Sequence, residues 1–170
     1  TLPKGVVDEL IAERQALVDA GCDDDERWLK LHRRQFLRIE GILDSVSDGV
    51  AYALTHSEVG RVILESFDWL VHEAGWVIRA ATIMPTHTHV VMRNDAGRSG
   101  ELMDDLEKLK RFTGREANRI LKRRGRFWAR EDFDHWCRTP EKVEAAVRYV
   151  RENPVKAGLV ERWQDWEWTK

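Results

Sequence analysis

The amino-acid sequence predicts an α+β fold, and three observations predict it. Apolar residues recur at helical spacing through the first third of the chain and again after residue 99. Between these regions lie two strand-like runs, Trp76–Ile83 and His87–Met92, separated by the turn residues Pro85 and Thr86. The resulting order of helices, strand, strand, helix, strand and helix is typical of an α+β domain.

The helices of the first half of the chain are predicted from their apolar spacing. The first third is helical on both sides of a break at Gly21, although the phasing is weaker after the break. A better-defined helix follows His56–Ser57 and ends near Gly75. Because a sheet of three strands is small, and because Thr1–Pro3 resembles the exit from an earlier element, we expect that one further strand precedes this chain.

The second half of the chain contains the remaining elements. A long helix is predicted from Ser99 to about Arg124, with Gly125 as its stop, and a third strand over Phe127–Cys137. The last helix has Pro140 in its first turn and ends before Pro154, since proline suits a first turn and interrupts a helix interior.

Composition limits the class of protein. Hydrophobic residues make up 42% of the 170 residues, which is enough for a sizeable core, and no apolar run approaches the roughly 20 residues that cross a bilayer. The start carries no signal-peptide pattern, and Cys22 and Cys137 form no CxxC pair. We therefore predict a cytoplasmic protein with no membrane partner. It is expected to fold as one domain, with a helical N-terminal part over 1–57, a core over 58–153 and a tail over 154–170.

The net charge of −2 conceals an asymmetry along the chain. Residues 1–80 contain 9 Lys and Arg against 15 Asp and Glu, whereas residues 81–170 contain 19 against 15. The basic excess is concentrated between residues 108 and 126. Such a run usually forms a solvated helix face, but beside a catalytic site it would bind phosphates. Its nine cations are Lys108, Lys110, Arg111, Arg115, Arg119, Lys122, Arg123, Arg124 and Arg126.

A pair of histidines lies on the second predicted strand. His87 and His89 flank one residue, so their side chains point to the same face of the strand and suit two ligands of one metal ion. Pairs of this kind also occur by chance. The pattern of binuclear hydrolases, which continues to an Asp and a third His, is absent, because Val90, Val91 and Met92 follow.

The chain has two tyrosines. Tyr52 lies in an apolar run and is interpreted as a packing residue. On the last predicted helix, Tyr149 and Asn153 project one turn apart from the flank of the buried stripe. From spacing alone they are a boundary tyrosine and an ordinary asparagine ahead of a proline.

Four segments occur together in a recognisable order: Met84–Val91, Gly125–Trp128, Asp132–Arg138 and Tyr149–Val160. This combination closely resembles the REP-associated tyrosine transposases, which are single-tyrosine members of the HUH nucleases. The resemblance spans about residues 76 to 168, and the closing Trp163–Trp168 is also similar to the tail of the family.

The resemblance implies a ferredoxin-like or RRM-like antiparallel sheet with helices packed on one face, extra N-terminal helices and a first strand that is missing from this chain. It implies that His87, His89 and Asn153 bind a divalent metal, Mg2+ or Mn2+, and that Tyr149 is the nucleophile that forms a 5′-phosphotyrosine link. The implied substrate is single-stranded DNA with a hairpin from a palindromic repeat, whose backbone the nine cations would follow. The protein would act as a monomer or a homodimer.

Two other functions stay open at this point. One is a domesticated, cleavage-silent protein that binds single-stranded DNA hairpins. The other is a generic metallohydrolase, which the lack of acidic residues near the two histidines in the sequence disfavours. Unpaired bases could stack on tryptophans, and we expect this of one or two at most, because tryptophans at such positions usually pack. The candidates are Trp128, Trp136, Trp163, Trp166 and Trp168.

Overall fold

A computed structural model describes residues 3–45, 53–94, 102–129, 132 and 136–170 of the chain. These residues belong to two compact units, the first containing residues 3–45 and the second residues 53–128 and 136–170. The described residues form five α-helices, a short 3-10 helix over Trp163–Asp165 and one two-stranded antiparallel sheet, which confirms the α+β class. None of the described helices combines the length and the apolar character needed to cross a bilayer.

The first unit contains two helices, α1 (Lys4–Asp19) and α2 (Asp25–Ser45). Gly21 separates them with a φ of 59°, a left-handed conformation that suits glycine at the end of a helix. Gln35 of α2 is buried and joins the two helices, because its Nε2 donates to the carbonyl oxygen of Leu10 at 3.0 Å and its Oε1 accepts from Arg14 Nε at 2.9 Å. The helical prediction for the first third is confirmed.

The second unit contains the sheet and the other three helices. Strands β1 (Trp76–Ile83) and β2 (Thr88–Asn94) pair antiparallel, from Ile83↔Thr88 at the turn to Trp76↔Asn94, with one irregularity between Ile78 and Ala80. Both strands lie close to their predicted positions. The elements of this unit, in chain order, are α3 (Ser57–His72), β1 (Trp76–Ile83), β2 (Thr88–Asn94), α4 (Leu102–Ile120) and α5 (Pro140–Lys156).

Helices cover both faces of the sheet, so the prediction of helices on one face is wrong. Helices α3 and α4 pack against the face that includes Ala81 and Val90. Helix α5 packs against the opposite face, which includes Ala80 and Val91. The physical reason is that successive residues of both strands, which point to opposite faces of the sheet, are apolar. Both faces are therefore apolar, and each is stabilised when a helix covers it. The larger core, on the α3 and α4 side, includes Val59, Ile63, Phe67, Leu70, Ile83, Leu109 and Ala117.

The strand predicted over Phe127–Cys137 does not form among its described residues, 127–129, 132, 136 and 137. Residues 127 and 128 pack against α4 instead, and the indole nitrogen of Trp128 donates to Thr113 Oγ1 at 2.8 Å. The prediction was wrong here because aromatic residues among charged ones suit a docked loop as well as a strand. The other residues of this prediction lie outside the described part of the chain.

The C-terminal tail pairs with the edge of β1 that β2 leaves open. Ala81 and Lys170 exchange backbone hydrogen bonds of 2.9 and 2.8 Å, and the amide of Ile83 donates to the carbonyl oxygen of Trp168 at 3.0 Å. The indole of Trp168 is buried directly against Gly60 of α3. The tail is therefore an integral part of the second unit.

Helix α5 continues through Pro154, whereas the sequence predicted that it ends before this proline. Proline removes one helical hydrogen bond, and this loss is tolerated because the helix ends only two residues later, at Lys156. Gly158 then takes a φ of 70°, and its amide donates to Val155 while the amide of Leu159 donates to Pro154. This arrangement satisfies the last carbonyl groups of the helix.

Candidate active site

His87 and His89 lie together at the start of β2. His87 directly precedes the strand, in a turn closed by a hydrogen bond of 2.8 Å from the Met84 amide to the His87 carbonyl oxygen. The two Nε2 atoms are 2.9 Å apart, and the ring planes meet at 89°. This separation is that of a hydrogen bond between the two rings, and it also suits two nitrogen ligands of a single cation, for which metal–nitrogen distances are about 2.0–2.1 Å. The structure therefore brings the predicted pair together as the strand alternation required.

The turn residue Thr86 orients the first of these imidazoles. Its Oγ1 lies 2.8 Å from Nδ1 of His87. When Nδ1 carries the proton and donates it to this oxygen, Nε2 of His87 keeps a lone pair that faces His89. Burial, and then the charge of His89, lower the pKa of His87 from 6.5 to about 3. His87 is therefore neutral near pH 7, which is the form that binds metal ions.

Tyr149 of α5 lies against the second histidine. Its ring meets that of His89 edge to face, with ring centres 6.1 Å apart and planes at 87°. The contact arises because α5 packs on the sheet face to which His89 points, with Val147 and Val150 buried beneath it. The Nζ atom of Lys156, seven residues further along α5, lies 4.1 Å from the centre of the Tyr149 ring.

Asn153 follows Tyr149 by one helical turn and is only 3% exposed. Its Nδ2 is buried and makes no hydrogen bond to any described residue. An unpartnered amide nitrogen in the interior is costly, because its N–H donors lose the hydrogen bonds that water would give them. Because the amide oxygen and nitrogen can be exchanged by rotation, the side chain can offer an oxygen to a hard cation at this position, one helical turn from Tyr149.

The nine predicted DNA-binding cations lie on α4 and in the turn that follows it, on the other side of the sheet from Tyr149. Helix α4, which carries five of them, belongs to the face opposite α5 and Tyr149. The sequence predicted a single helix to about Arg124, but α4 ends at Ile120, and Lys122, Arg123, Arg124 and Arg126 follow in a turn. Among the helical cations, Lys108 pairs with Asp105, and Arg115 and Arg119 pair with Glu116.

The five candidate stacking tryptophans differ in exposure. Trp168 is buried, and Trp166 donates its indole N–H to the carbonyl oxygen of Ile83 at 3.0 Å. The guanidinium of Arg151 lies over the ring of Trp163, and the indole N–H of Trp128 donates a hydrogen bond to Thr113 of α4. Only Trp136 of the five is largely exposed, at 71%. This agrees with the expectation that most of them pack.

Two contributors to the site were missed by sequence reasoning. Lys156 could have been found, because a spacing of seven residues returns a helix to the same face, so that Lys156 lies above Tyr149. Thr86 had no such signal, since its role depends on the turn geometry. Tyr52, interpreted as a packing residue, lies outside the described residues.

No protein-family model, curated protein or solved structure matches this chain.

Proposed function

We propose that the chain is a metal-dependent endonuclease and strand transferase for single-stranded DNA, related to the REP-associated tyrosine transposases and built on a ferredoxin-like core. The observation that carries this proposal is the contact between Tyr149 and His89, whose Nε2 lies 2.9 Å from that of His87. A phenol, which can act as a nucleophile, thus lies beside a pair of imidazole ligands in one chain.

The residues that would bind the divalent cation are His87, His89 and Asn153. When bound, Mg2+ or Mn2+ would polarise a non-bridging phosphate oxygen and stabilise the charge that develops on it. The unpartnered amide of Asn153 and the neutral state of His87 support this assignment. Thr86 would keep the His87 ring in the tautomer whose Nε2 is free to bind.

Tyr149 would act as the nucleophile. Its hydroxyl oxygen forms a bond to phosphorus while the bond from phosphorus to the 3′ oxygen of the preceding nucleotide breaks. The phenol loses its proton, and the departing 3′ oxygen gains one to become a hydroxyl group. Because the phosphotyrosine ester replaces one phosphodiester bond by another of similar energy, a 3′ hydroxyl can later reverse the step and join two strands without ATP.

The test is a covalent-adduct assay. The protein is incubated with hairpin-bearing single-stranded DNA and Mn2+, and protein–DNA adducts are separated on a denaturing gel. We expect an adduct that Tyr149→Phe abolishes and that Tyr52→Phe, which changes the other tyrosine of the chain, leaves intact. An adduct that survives Tyr149→Phe would refute the assignment of the nucleophile. Tight hairpin binding without an adduct under any divalent metal would instead support the cleavage-silent alternative.

A further inference from the structure

The turn after α4 has an unusual backbone for its sequence. This basic turn comprises Lys122, Arg123, Arg124, Gly125 and Arg126. Lys122 has a φ of 50° and is the one non-glycine residue with positive φ in the described part of the chain. It occupies the helix-ending position at which glycine is strongly favoured, because a side chain there is crowded by the backbone. The protein therefore has a lysine at a position where glycine would give a more stable fold.

Side-chain hydrogen bonds fix the basic turn in this conformation. Asn118 of α4 donates from Nδ2 to the carbonyl oxygen of Gly125 at 2.7 Å. Arg123 donates from its guanidinium to the carbonyl oxygen of Arg126 at 3.2 Å, and the same group lies over the ring of Phe127. The backbone positions from which Lys122, Arg124 and Arg126 project are therefore set before any ligand binds, which reduces the entropic cost of binding.

The cations of the basic turn differ from Arg115 and Arg119 of α4 in their partners. Lys122, Arg124 and Arg126 are exposed and make no ion pair with the described residues, whereas Arg115 and Arg119 share Glu116. Four positive charges within five residues repel one another, and no acidic residue of the turn offsets them. An anion from outside the molecule would remove this repulsion.

We propose that the basic turn is the binding site for the phosphodiester backbone of single-stranded nucleic acid. Arginine matches phosphate oxygens in bidentate fashion, and several exposed cations in a row suit a polymer that repeats its charge. This inference depends on the proposed function and refines it, because it assigns backbone binding to the turn and not to the ion-paired face of α4.

The experiment measures binding separately from cleavage. Fluorescence anisotropy of labelled oligothymidylate and oligouridylate, each about 20 nucleotides long so as to exceed one binding site, is followed in EDTA with Tyr149→Phe as the parent protein. Failure of the adduct assay would thus leave this measurement unaffected. The turn variant is Arg124→Gln with Arg126→Gln, and the matched control is Arg115→Gln with Arg119→Gln, which removes the same number of charges from α4.

The turn variant is expected to weaken binding about tenfold or more in low salt and to reduce the slope of log affinity against log salt by about 1.4, since each single-strand phosphate contact contributes about 0.7. The α4 control is expected to weaken binding less than about threefold. Equal losses in the two variants would overturn the proposal, as would the absence of binding to both oligonucleotides. Loss confined to one oligonucleotide would support the proposal and assign the site to DNA or to RNA.

A second variant tests the role of Lys122. Lys122→Gly relieves the left-handed backbone and removes one charge, so we expect a midpoint of thermal unfolding that rises by a few degrees together with an affinity that falls severalfold. Affinity equal to that of the parent protein would contradict the assignment of Lys122 to the binding site.

Discussion

Substitution of Gly60 by alanine tests whether the tail is an integral part of the second unit. A Cβ atom at residue 60 would lie 2.5 Å from Cζ3 of Trp168 and 2.7 Å from its Cε3. Ordinary contacts of this kind are 3.4 Å or longer, so the overlap is close to 1 Å. The indole is buried, and its backbone is bonded to Ile83 of β1, so it cannot move away without disturbing the tail.

The expected cost of Gly60→Ala follows from two opposing terms. Alanine is favoured over glycine in a helix interior by about 1 kcal/mol. Overpacking costs about 1–3 kcal/mol, and complete loss of a buried tryptophan contact costs about 3–5 kcal/mol. We expect a net destabilisation of about 2 kcal/mol. For a chain of this length, that corresponds to a decrease of about 4–8 °C in the midpoint of thermal unfolding.

Circular dichroism melting curves measure this effect, and trypsin cleavage after Arg162 reports whether the tail has left its site. The matched control is Gly41→Ala in α2, where an added Cβ would have no neighbour within 4 Å. Because only the higher helix propensity of alanine then contributes, this control is expected to stabilise the protein by about 1 kcal/mol. A Gly60→Ala protein that melts at or above the temperature of the unaltered protein would refute the reasoning.

The other predictions concern the residues around Tyr149 and the two histidines. Because the pKa of His87 is lowered to about 3 by burial and by His89, the unfolded chain binds one more proton than the native one between pH 6 and 4. With divalent metals removed, the contribution of His87 to the free energy of unfolding is therefore largest above about pH 6.5, and the free energy of unfolding falls by up to about 1.4 kcal/mol per pH unit as pH decreases. Denaturant titrations of His87→Gln should lack this pH-dependent decrease. Thr86→Val removes the hydrogen bond to His87 Nδ1, and calorimetric titration with Mn2+ should show affinity about 10–100-fold weaker. A double-mutant cycle of Lys156→Met with Tyr149→Leu should give a coupling free energy of about 0.5–1 kcal/mol in urea unfolding, and a value of zero would exclude the cation–ring contact.

Sequence reasoning was most successful where local periodicity decides the structure. The spacing of His87 and His89 on a strand predicted that their rings share a face, and they do. Helix α3 and strand β1 also lie close to their predicted limits, because Gly75 separates them and Pro85 follows the strand. The proximity of Tyr149 to His89 needed tertiary packing, which the resemblance to a family implied and periodicity alone could not.

The features that sequence reasoning missed are non-local. The tail pairs with β1 across 87 residues of sequence, between Thr82 and Thr169, and no pattern in residues 163–170 marks them as an edge partner. The placement of α5 opposite α4 depends on which face of the sheet each helix covers, and both faces carry alternating apolar residues. The continuation of α5 through Pro154 shows that a proline near the end of a helix removes too little hydrogen bonding to stop it.

The pairing of the tail with β1 also covers a strand edge that could otherwise pair with another chain. An uncovered strand edge offers its amide and carbonyl groups to any other extended chain, and such edges nucleate aggregates. Here the backbone groups of Ala81 and Ile83 are already engaged by residues 168–170. A substitution that releases the tail should therefore reduce solubility on storage before it reduces the helical content of the folded protein.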